Sequence, residues 1–383
     1  MKSLLKIILF IIPFYLHAQE FQINNVGVRA RNLAGAYTSI ADDATAAFWN
    51  PAGLSQTKSS ELYFSGGINA YRITTKIVDY NTQAYGYCHL PYDFLGVKFL
   101  LANLKDNRKF MGGISIQNII DFRDKYTEQQ FSKEQHGRVN AISFSLGYQL
   151  TDSLHLGLSF RYFQGRRYFF FNDKTDSLWG KDAKEDSIYS GFSLPPDIGF
   201  LYKNYPFKFG MKITFPFKLK EINDEASYEA KIRMPWTVGF GIAYYFSQKL
   251  FINLNMEWQG SKNLYRKYLD IKDATQNGIK ERIGNKNIFQ IQVGSELKTK
   301  VWEFEVPIRA GVAFTPKYYK DMEKKPIYGS LATMGIGIAS YWWGLDFGVE
   351  YNSYLYKLED IGSYREHYLT FLFALILRWG DKD

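Results

Sequence analysis

The sequence predicts an all-β fold: a 14-stranded antiparallel transmembrane β-barrel with a small, partly helical N-terminal plug. Three observations predict it. Long stretches alternate between apolar and polar residues, the aromatic content is 18%, and the segment before the first strand does not alternate. Aromatic residues favour strands, and they also form the girdles at the two rims of membrane barrels.

The start of the chain indicates an export signal. A basic first segment is followed by an almost wholly apolar stretch, residues 4–16, and then by the small residue Ala18. The apolar core is shorter than the about 20 residues that a spanning helix needs, so a membrane anchor is the weaker alternative. We expect a signal peptide over residues 1–18 and a mature chain that begins near Gln19.

Composition excludes several other classes of protein. Beyond the signal no apolar run is long enough for a spanning helix, and the mean hydropathy is −0.28, which excludes a helical membrane protein. Cys88 is the only cysteine, which excludes a disulfide framework and a cysteine metal cluster. The net charge is +9, yet no basic helix or stripe is visible. Charge on loops near anionic lipid headgroups explains the basic excess as well as nucleic acid would. We expect outer-membrane lipid and lipopolysaccharide as partners, no nucleic-acid partner and no cofactor.

Residues 19–58 predict the plug. Small residues dominate this segment, and Ala and Leu allow short helices between glycine breaks. Asp42 is expected to cap a helix over residues 43–49, and the Asn50-Pro51 pair is expected to end it because the residue before a proline is pushed out of the α region. A barrel of 14 strands has a lumen too wide for its own side chains to fill, so a plug of this size fits it.

Residues 59–383 predict the barrel. In 250–258 and 345–351 every second residue is apolar, and the residues between are polar or small apart from Phe251; 207–217 and 302–314 follow the same rule apart from a proline in each. This period of two is the signature of a strand, and the runs are about twice the usual 5–6 residues of strands in soluble proteins. An open sheet is excluded in lipid because its edge groups would have no hydrogen-bond partners.

Fourteen segments carry this pattern, and the connections between them alternate in length. The segments are 61–74, 81–101, 110–122, 138–150, 154–168, 189–203, 206–220, 228–247, 249–262, 286–299, 301–315, 330–342, 343–356 and 366–379, with a possible break near Pro91. Short turns are predicted at 151–153, 204–205, Gln248, Lys300 and 342–343, and longer polar connections at 123–137, 169–188, 221–227, 263–285, 316–329 and 357–365. Short periplasmic turns and longer extracellular loops are typical of outer-membrane barrels.

The last strand also fits a barrel of the Gram-negative outer membrane. Residues 369–379 alternate up to Trp379, and only four residues follow. The barrel assembly machinery is thought to read such a final strand, so we expect it as a partner. We expect the barrel to be a monomer.

The plug sequence resembles the start of the FadL/TodX-type outer-membrane transporters. The resemblance rests on a Gly-x-Arg-Ala start at Gly27, an Ala-Asp-Asp-Ala run at 41–44 and an Asn-Pro-Ala-Gly element at 50–53. It covers residues 27–54 closely and the rest of the chain by architecture. It implies a 14-stranded barrel with an N-terminal plug.

The resemblance also implies a function and its residues. An apolar molecule such as a long-chain fatty acid would bind on the extracellular side, enter an apolar pocket beside the plug and leave after the plug rearranges, often sideways through the wall. The implied plug and gating residues are Arg29, Arg31, Asp42, Asp43, Asn50, Pro51 and Ala52. Asn50 would bond local backbone and Pro51 would fix the turn. The two arginines are expected to form salt bridges, with a substrate carboxylate as the alternative partner.

Other functions have weaker support. The sequence has no Gly-x-Ser-x-Gly elbow and no His-Glu-x-x-His motif, so no catalytic or metal-binding residue is predicted. His155 is interpreted as a hydrogen-bonded lumen residue, and Asp346 and Glu350 as members of charged lumen networks. The main alternative is a PorV-like accessory barrel that shuttles cargo proteins in a type IX secretion system. An open porin-like pore is a further alternative, which conductance would distinguish.

Overall fold

A computed structural model describes residues 25–77, 80–103, 108–122, 124–127, 131–173, 183–225, 227–271, 278–320, 325–358 and 362–380. The signal peptide lies outside the described residues. The strands are β1 (Ser60–Ile77), β2 (Tyr80–Asn103), β3 (Lys109–Asp121), β4 (Asp124–Thr127), β5 (Phe131–Gln149), β6 (Leu154–Asp173), β7 (Ala183–Phe192), β8 (Asp197–Asn204), β9 (Phe207–Thr214), β10 (Phe217–Asn223), β11 (Tyr228–Met234), β12 (Thr237–Tyr245), β13 (Leu250–Gln259), β14 (Tyr265–Ile271), β15 (Lys280–Arg282), β16 (Ile288–Val301), β17 (Phe304–Phe314), β18 (Tyr328–Ala339), β19 (Trp343–Leu358) and β20 (Gly362–Trp379).

These strands form a closed antiparallel barrel of 14 transmembrane strands, as predicted. The last strand closes the barrel, because β20 pairs with β1 from Ser60↔Trp379 to Ile77↔Gly362. Six barrel strands consist of two segments each: β3 with β4, β7 with β8, β9 with β10, β11 with β12, β13 with β14, and β15 with β16. For example, β7 and β8 together form one barrel strand, and both pair with the single long strand β6.

The interruptions lie at the same height in five neighbouring barrel strands. They fall at residues 193–196, 215–216, 235–236, 260–264 and 283–287. The first three contain prolines, which have no N–H to donate to a sheet ladder. The prediction of continuous strands over 189–203, 206–220 and 228–247, which cross these first three interruptions, was therefore wrong. Conversely, much of the predicted long connections is strand, since β4, β14 and β15 lie within them.

The short turns join one end of the barrel, which we call the short-turn end. They span 150–153, 205–206, 246–249, 302–303 and 340–342. All five agree with the sequence analysis to within about two residues; the turn predicted at Lys300 lies at Trp302-Glu303, where Trp302 adopts a positive φ of 55°. The opposite end, where the longer connections lie, is called the loop end.

The outer wall carries an apolar band between two aromatic girdles. Outward residues of β20 such as Phe371, Phe373 and Leu375 are exposed, whereas their neighbours Leu372 and Ala374 are buried inside. One girdle lies at the short-turn end and contains Tyr205, Phe246, Trp302, Trp342 and Trp379. The other lies at the interruptions and contains Phe192, Trp236, Trp258 and Phe289. Strands of this length between the girdles cover roughly 25 Å, the height of a bilayer's apolar band.

The wall is irregular between β2 and its neighbours near Pro91, as the sequence suggested. Residue Ser65 of β1 pairs with Phe94, but Gly67 pairs with Leu90, so three residues of β2 face one of β1. Pairing of β2 with β3 runs only from Phe94 to Asn103. Within the described residues, the part of β2 before Phe94 has no ladder to β3 or β4. A proline bulge and a missing ladder therefore coincide in the loop-end half of this seam.

The segment before β1 lies inside the barrel. It contains helix α1 (Val28–Asn32), helix α2 (Ala46–Trp49) and a 3₁₀ helix, Pro51–Gln56. None of the helices in the described parts of the chain is long and apolar enough to cross a bilayer. The apolar side chains of this plug pack with inward residues of the wall as one continuous cluster. We use "plug" below for residues 25–56.

Candidate functional site

Glycines of the wall form the seat of the plug. A Cβ atom built on Gly157 would lie 2.2 Å from Ala52 N, and one on Gly199 would lie 2.3 Å from Asn50 Oδ1. On the far side of the barrel, a Cβ on Gly348 would lie 1.8 Å from Asn32 Oδ1. Real Cβ atoms do not approach other atoms this closely, so the absence of side chains at these positions lets the plug backbone contact the wall directly.

The Asn-Pro-Ala element joins the plug to the wall. Asn50 is extended (φ −167°), and it ends α2 as predicted. Its Oδ1 accepts from Ala52 N at 3.2 Å, which caps the 3₁₀ helix. Its Nδ2 donates to Thr38 O at 2.8 Å and to Phe200 O of β8 at 2.9 Å. The buried side-chain amide of Asn50 therefore connects the segment around Thr38, the 3₁₀ helix and strand β8.

Arg29 is the centre of a chain of alternating charges. Its guanidinium pairs with Asp42 at 2.5 Å and with Glu296 of β16 at 2.9 Å. Glu296 also pairs with Arg309 of β17 at 2.6 Å, and Arg309 pairs with Asp346 of β19 at 2.6 Å. This chain contains three carboxylates and two arginines and connects the plug with three wall strands. The expected salt bridge of Arg29 is present, and so is the expected charged network around Asp346.

Arg31 forms a second connection to the wall. It pairs with Asp93 of β2 at 3.2 Å and also forms an ion pair with Glu350 of β19. Burial by itself lowers the pKa of Arg31, but Glu350 and Asp93 raise it by more, so the pKa lies above its ordinary value. Asp93 also accepts a hydrogen bond from Ser65 of β1, next to the irregular seam. Arg31 thus connects plug, seam and β19.

Asp42 and Asp43 have different environments. Burial raises the pKa of Asp42, whereas Arg29 and three lysines lower it by more, and the carboxyl stays ionised. Burial and the nearby Glu61 raise the pKa of Asp43 to about 6. Asp43 accepts from Thr45 N at 2.9 Å and from Tyr37 Oη at 2.7 Å.

The predicted helix cap by Asp42 was wrong. Helix α2 begins at Ala46 rather than at residue 43, and no side chain caps it. Asp42 is instead drawn to the guanidinium of Arg29, where an ion pair satisfies its charge. The two residues of the Asp-Asp pair therefore serve the plug through an ion pair and a local turn.

Wall side chains also donate to plug carbonyls. Lys98 Nζ donates to Asp42 O at 2.8 Å, Asn253 Nδ2 donates to Ala36 O at 2.7 Å, and Lys212 Nζ donates to Phe48 O. These contacts satisfy carbonyl groups of the end of helix α2 and of the non-helical segments before it. The plug is thus bonded to the wall around most of its circumference.

His155 lies beneath the 3₁₀ helix of the plug. Its Nδ1 is 2.8 Å from Ser55 Oγ, and both residues are fully buried. This is the hydrogen-bonded lumen histidine that the sequence predicted. The described parts of the chain contain no group of three or more His, Cys, Asp or Glu side chains that could hold a metal ion.

The two ends of the lumen differ in polarity. On the short-turn side a cavity of about 410 Å³ borders the plug, and its lining is mainly charged. Its lining includes Arg29, Asp42, Glu61, Lys98, Glu296, Lys298, Glu305, Arg309, Asp346 and Arg378. On the loop side, apolar and aromatic side chains lie beside inward ion pairs such as Arg266 with Glu221 and Arg167 with Glu185. Phe163 stacks on Phe217 at 4.4 Å, and Phe122 stacks on Tyr189 at 5.5 Å.

The apolar surface on the loop side reaches the plug without a break. Ile120, Val139, Leu219, Ile232 and Met234 are almost fully buried there and belong to the same cluster as the apolar residues of the plug. Sequence reasoning did not identify these residues, since they are spread over four different strands. The only indication in the sequence was that each is an apolar residue on the lumen face, where charged residues stand elsewhere in the strands.

Comparisons with solved structures show the fold. No family model matches the chain, and no curated protein matches it in sequence. A FadL homologue of Pseudomonas aeruginosa superposes with a TM-score of 0.67 at 13% identity, covering 94% of this chain and 99% of that one. The toluene transporter TodX of Pseudomonas putida gives 0.67 at 12% identity, covering 94% and 100%.

A third structure agrees. The toluene transporter TbuX of Ralstonia pickettii superposes with a TM-score of 0.63 at 12% identity, covering 94% of this chain and 100% of that one. Barrel and plug are matched together, since nearly the whole length of each structure is covered. This chain therefore has the fold of the FadL/TodX-type outer-membrane transporters, as its plug sequence predicted.

Proposed function

We propose that this protein is an outer-membrane transporter that lets hydrophobic molecules cross passively through its plugged barrel. The observation that carries the proposal is the polarity of the lumen. A continuous cluster of apolar side chains, with ion pairs such as Arg266–Glu221 beside it, connects the loop side with the plug, and a mainly charged cavity begins on the other side. Apolar surface buried in a lumen attracts apolar ligands through the hydrophobic effect. The plug stands at the boundary between the two environments.

The same polarity supports rearrangement of the plug as the gating step. Entry into the charged cavity is unfavourable for an apolar molecule. The molecule would displace water from the charged side chains and could not replace the hydrogen bonds of that water. The plug is held by discrete bonds, chiefly those of Arg29, Arg31 and Asn50, and these can be exchanged when a ligand occupies the apolar side. The roles of Asp42, Asp43, Pro51 and Ala52 in gating belong to this proposal.

Sideways release fits the irregular seam at β2. There the ladder between β2 and β3 stops at Phe94, near the ion pair of Arg31 with Asp93. Tyr92 lies across this seam, with its hydroxyl 3.0 Å from Asn140 Oδ1 and its ring 5.0 Å from the Arg138 guanidinium. A molecule beside the plug would reach lipid here without passing through the charged cavity.

The decisive experiment is native mass spectrometry of the barrel purified in mild detergent, combined with extraction of bound lipids. We expect a bound apolar molecule that added oleate displaces. Displacement by toluene instead would assign aromatic hydrocarbons as the substrate class, as the names of the toluene transporters suggest for those proteins. An empty barrel that co-purifies with exported proteins would overturn the proposal in favour of the secretion-accessory function.

A control separates binding in the lumen from binding on the outer wall. Replacing Phe163 by Asp places a carboxylate against Phe217 in the apolar lumen, whereas replacing the outward Phe144 by Tyr leaves the lumen unchanged. The first variant should lose the bound molecule and the second should keep it. Retention by both variants would place the molecule on the lipid-facing surface and contradict the proposal.

A further inference from the structure

Two rows of basic residues cross four neighbouring strands on the outer wall at the loop end. Strand pairing places Lys220, Lys231, Lys267 and Lys280 side by side in one row. The adjacent row consists of Lys218, Arg233, Tyr265 and Arg282. We call these eight residues the cation ladder. The sequence analysis saw no basic stripe because the members are separated along the chain and only the barrel register brings them together.

The ladder faces outward. On β10, Lys218 is exposed while its neighbours Phe217 and Leu219 are buried, and on β11 Lys231 is exposed between the buried Ala230 and Ile232. On β14 the buried Arg266 points inward to Glu221, so Lys267 takes the outer face. The inward charges are paired within the lumen, and the outward ones are presented to the surroundings.

Internal partners do not neutralise the ladder. Residues directly opposite on paired strands have Cβ atoms about 5 Å apart, and like charges in such positions destabilise the sheet. Within the described residues, the ladder makes one ion pair with a carboxylate, Lys220 with Glu229 at 3.0 Å. Lys280 also lies 5.6 Å from the ring centroid of Tyr265. Seven cations beside one paired carboxylate leave a net positive charge that an external anion would neutralise.

The position of the ladder identifies that anion. The ladder begins two to three residues beyond the aromatic girdle that contains Trp236 and Trp258, so it lies roughly 7–10 Å further from the bilayer centre. Aromatic girdles lie at the level of lipid headgroups, and basic clusters next to a membrane bind anionic headgroups. Phosphate accepts several hydrogen bonds from Lys and Arg at once.

We propose that the cation ladder binds the phosphates of lipopolysaccharide in the outer leaflet. The inference rests on the proposed outer-membrane location with the loop end outside, because that leaflet carries this lipid. Two rows of cations on a flat strand surface match a glycolipid with more than one phosphate better than a single small anion. The bound lipid would remove the repulsion between neighbouring lysines, so it would also stabilise the barrel at this end.

The test compares Lys231→Gln/Lys267→Gln with a matched control, Lys249→Gln/Lys300→Gln. Lys231 and Lys267 are the middle pair of the lysine row, while Lys249 and Lys300 are exposed lysines at the short-turn end. Each detergent-solubilised barrel is titrated with bisphosphorylated lipid A, and the bound fraction is read by native mass spectrometry. Removal of two charges should weaken binding about 30-fold, from about 1 kcal/mol per basic residue near a surface. The control should bind as the wild type does.

Two further measurements make the result unambiguous. Dephosphorylated lipid A should bind the wild type as weakly as the ladder variant binds the phosphorylated form. In neutral detergent the ladder variant should melt at a higher temperature than wild type, which shows that it folds and that the lysines repel each other.

Several outcomes would overturn the inference. Equal binding of both lipid A forms would do so, as would equal loss in the control variant, or saturation by inorganic phosphate alone. Retention of lipid A by the ladder variant together with loss of a co-purifying protein would assign the surface to a protein partner. Failure of the barrel to reach the outer membrane would defeat the proposed function as well, whereas normal uptake without lipid A binding would defeat the ladder alone.

Discussion

At the scale of single residues, Arg29 illustrates how one buried charge connects the plug with the wall. Its guanidinium is shared between Asp42 of the plug and Glu296 of the wall, and Glu296 is fully buried. Removing one partner of a buried ion pair leaves an uncompensated charge, which costs about 3–5 kcal/mol. The same residue therefore determines both the docking energy of the plug and the charge balance of the wall network.

We expect Arg29→Met to loosen the plug. Asp42 and Glu296 lose their shared cation, so the barrel in planar bilayers should show larger and more frequent openings. Arg166→Met is the control, since Arg166 forms an exposed ion pair with Asp186 on the outside of the barrel. Exposed pairs contribute little, so this variant should stay closed. Equal conductance of the two variants would contradict a locking role for Arg29.

Asp43 predicts a pH dependence of plug docking. Its pKa is about 6 in the folded protein because burial and Glu61 disfavour the ionised form. Between about pH 4 and pH 6, the Asp43 carboxyl is therefore protonated in the folded protein but ionised when the plug is unfolded. The stabilising contribution is complete below about pH 4 and is lost as the pH rises through about 6; its upper limit is about 3 kcal/mol.

The variant Asp43→Asn tests this dependence. Amide exchange of residues 28–56 should slow in the wild type when the pH is lowered from 7 to 4.5, after correction for intrinsic rates. The variant should lack this component, and the difference between the two proteins isolates it from Asp42, whose lowered pKa acts in the opposite direction at acid pH. Identical pH profiles would show that Asp43 is not the titrating group.

At the scale of elements, the seat of the plug depends on missing side chains. Gly157→Ala would place a Cβ 2.2 Å from backbone atoms of Pro51 and Ala52, which cannot rotate away. Overpacking of this kind costs about 1–3 kcal/mol or more, so the Asn-Pro-Ala element should leave its seat. We expect faster proteolysis of the plug and higher conductance than in the wild type.

Gly239→Ala is the matched control. Gly239 is also an inward glycine of a barrel strand, but the nearest atom to its Cβ would be Thr38 Oγ1 at 3.6 Å, an ordinary contact. This variant should behave as the wild type does. If both substitutions released the plug, a general intolerance of the wall to alanine would explain the result better than loss of a specific seat.

Sequence periodicity predicted the strands well where the contrast between lipid and lumen alone determines the pattern of polar and apolar residues. The alternation of 345–351 and 369–379 placed outward and inward residues correctly, because lipid and lumen impose opposite polarities on neighbouring positions. It failed at the interruptions near Pro216 and Pro235, because proline ends a ladder without changing the hydrophobic pattern. It also predicted strands that are too short at the loop end. There the strands extend beyond the membrane, and lipid no longer imposes apolar residues on the outer face.

The site was only partly predictable for a related reason. Asn50 and Pro51 were visible because their chemistry is local, and the end of helix α2 followed from it. The partners of Arg31 were not, since Asp93 and Glu350 lie 62 and 319 residues away along the chain. Glycine seats and the cation ladder depend on register across strands, which a single sequence does not reveal.

At the scale of the whole molecule, polarity defines a route. A cluster of apolar side chains connects the loop side with the plug, charges line the cavity beyond the plug, and the ladder between β2 and β3 stops at the seam. Because Arg31 connects the plug to Asp93 beside that seam, we expect movement of the plug to be coupled to opening of the seam.

We expect a tether across the seam to block release while leaving binding intact. In a Cys88→Ser background, Tyr92→Cys and Asn140→Cys can be joined by a short bis-maleimide, since their side chains contact each other in the wild type. The tether holds β2 against β5 and should slow transfer of a fluorescent fatty acid across reconstituted membranes severalfold, with unchanged occupancy by native mass spectrometry. The control joins Tyr244→Cys to Ile252→Cys, outward residues that are already paired in the ladder between β12 and β13. Transfer that is equally fast in the tethered and untethered proteins would mean that the substrate leaves by another path.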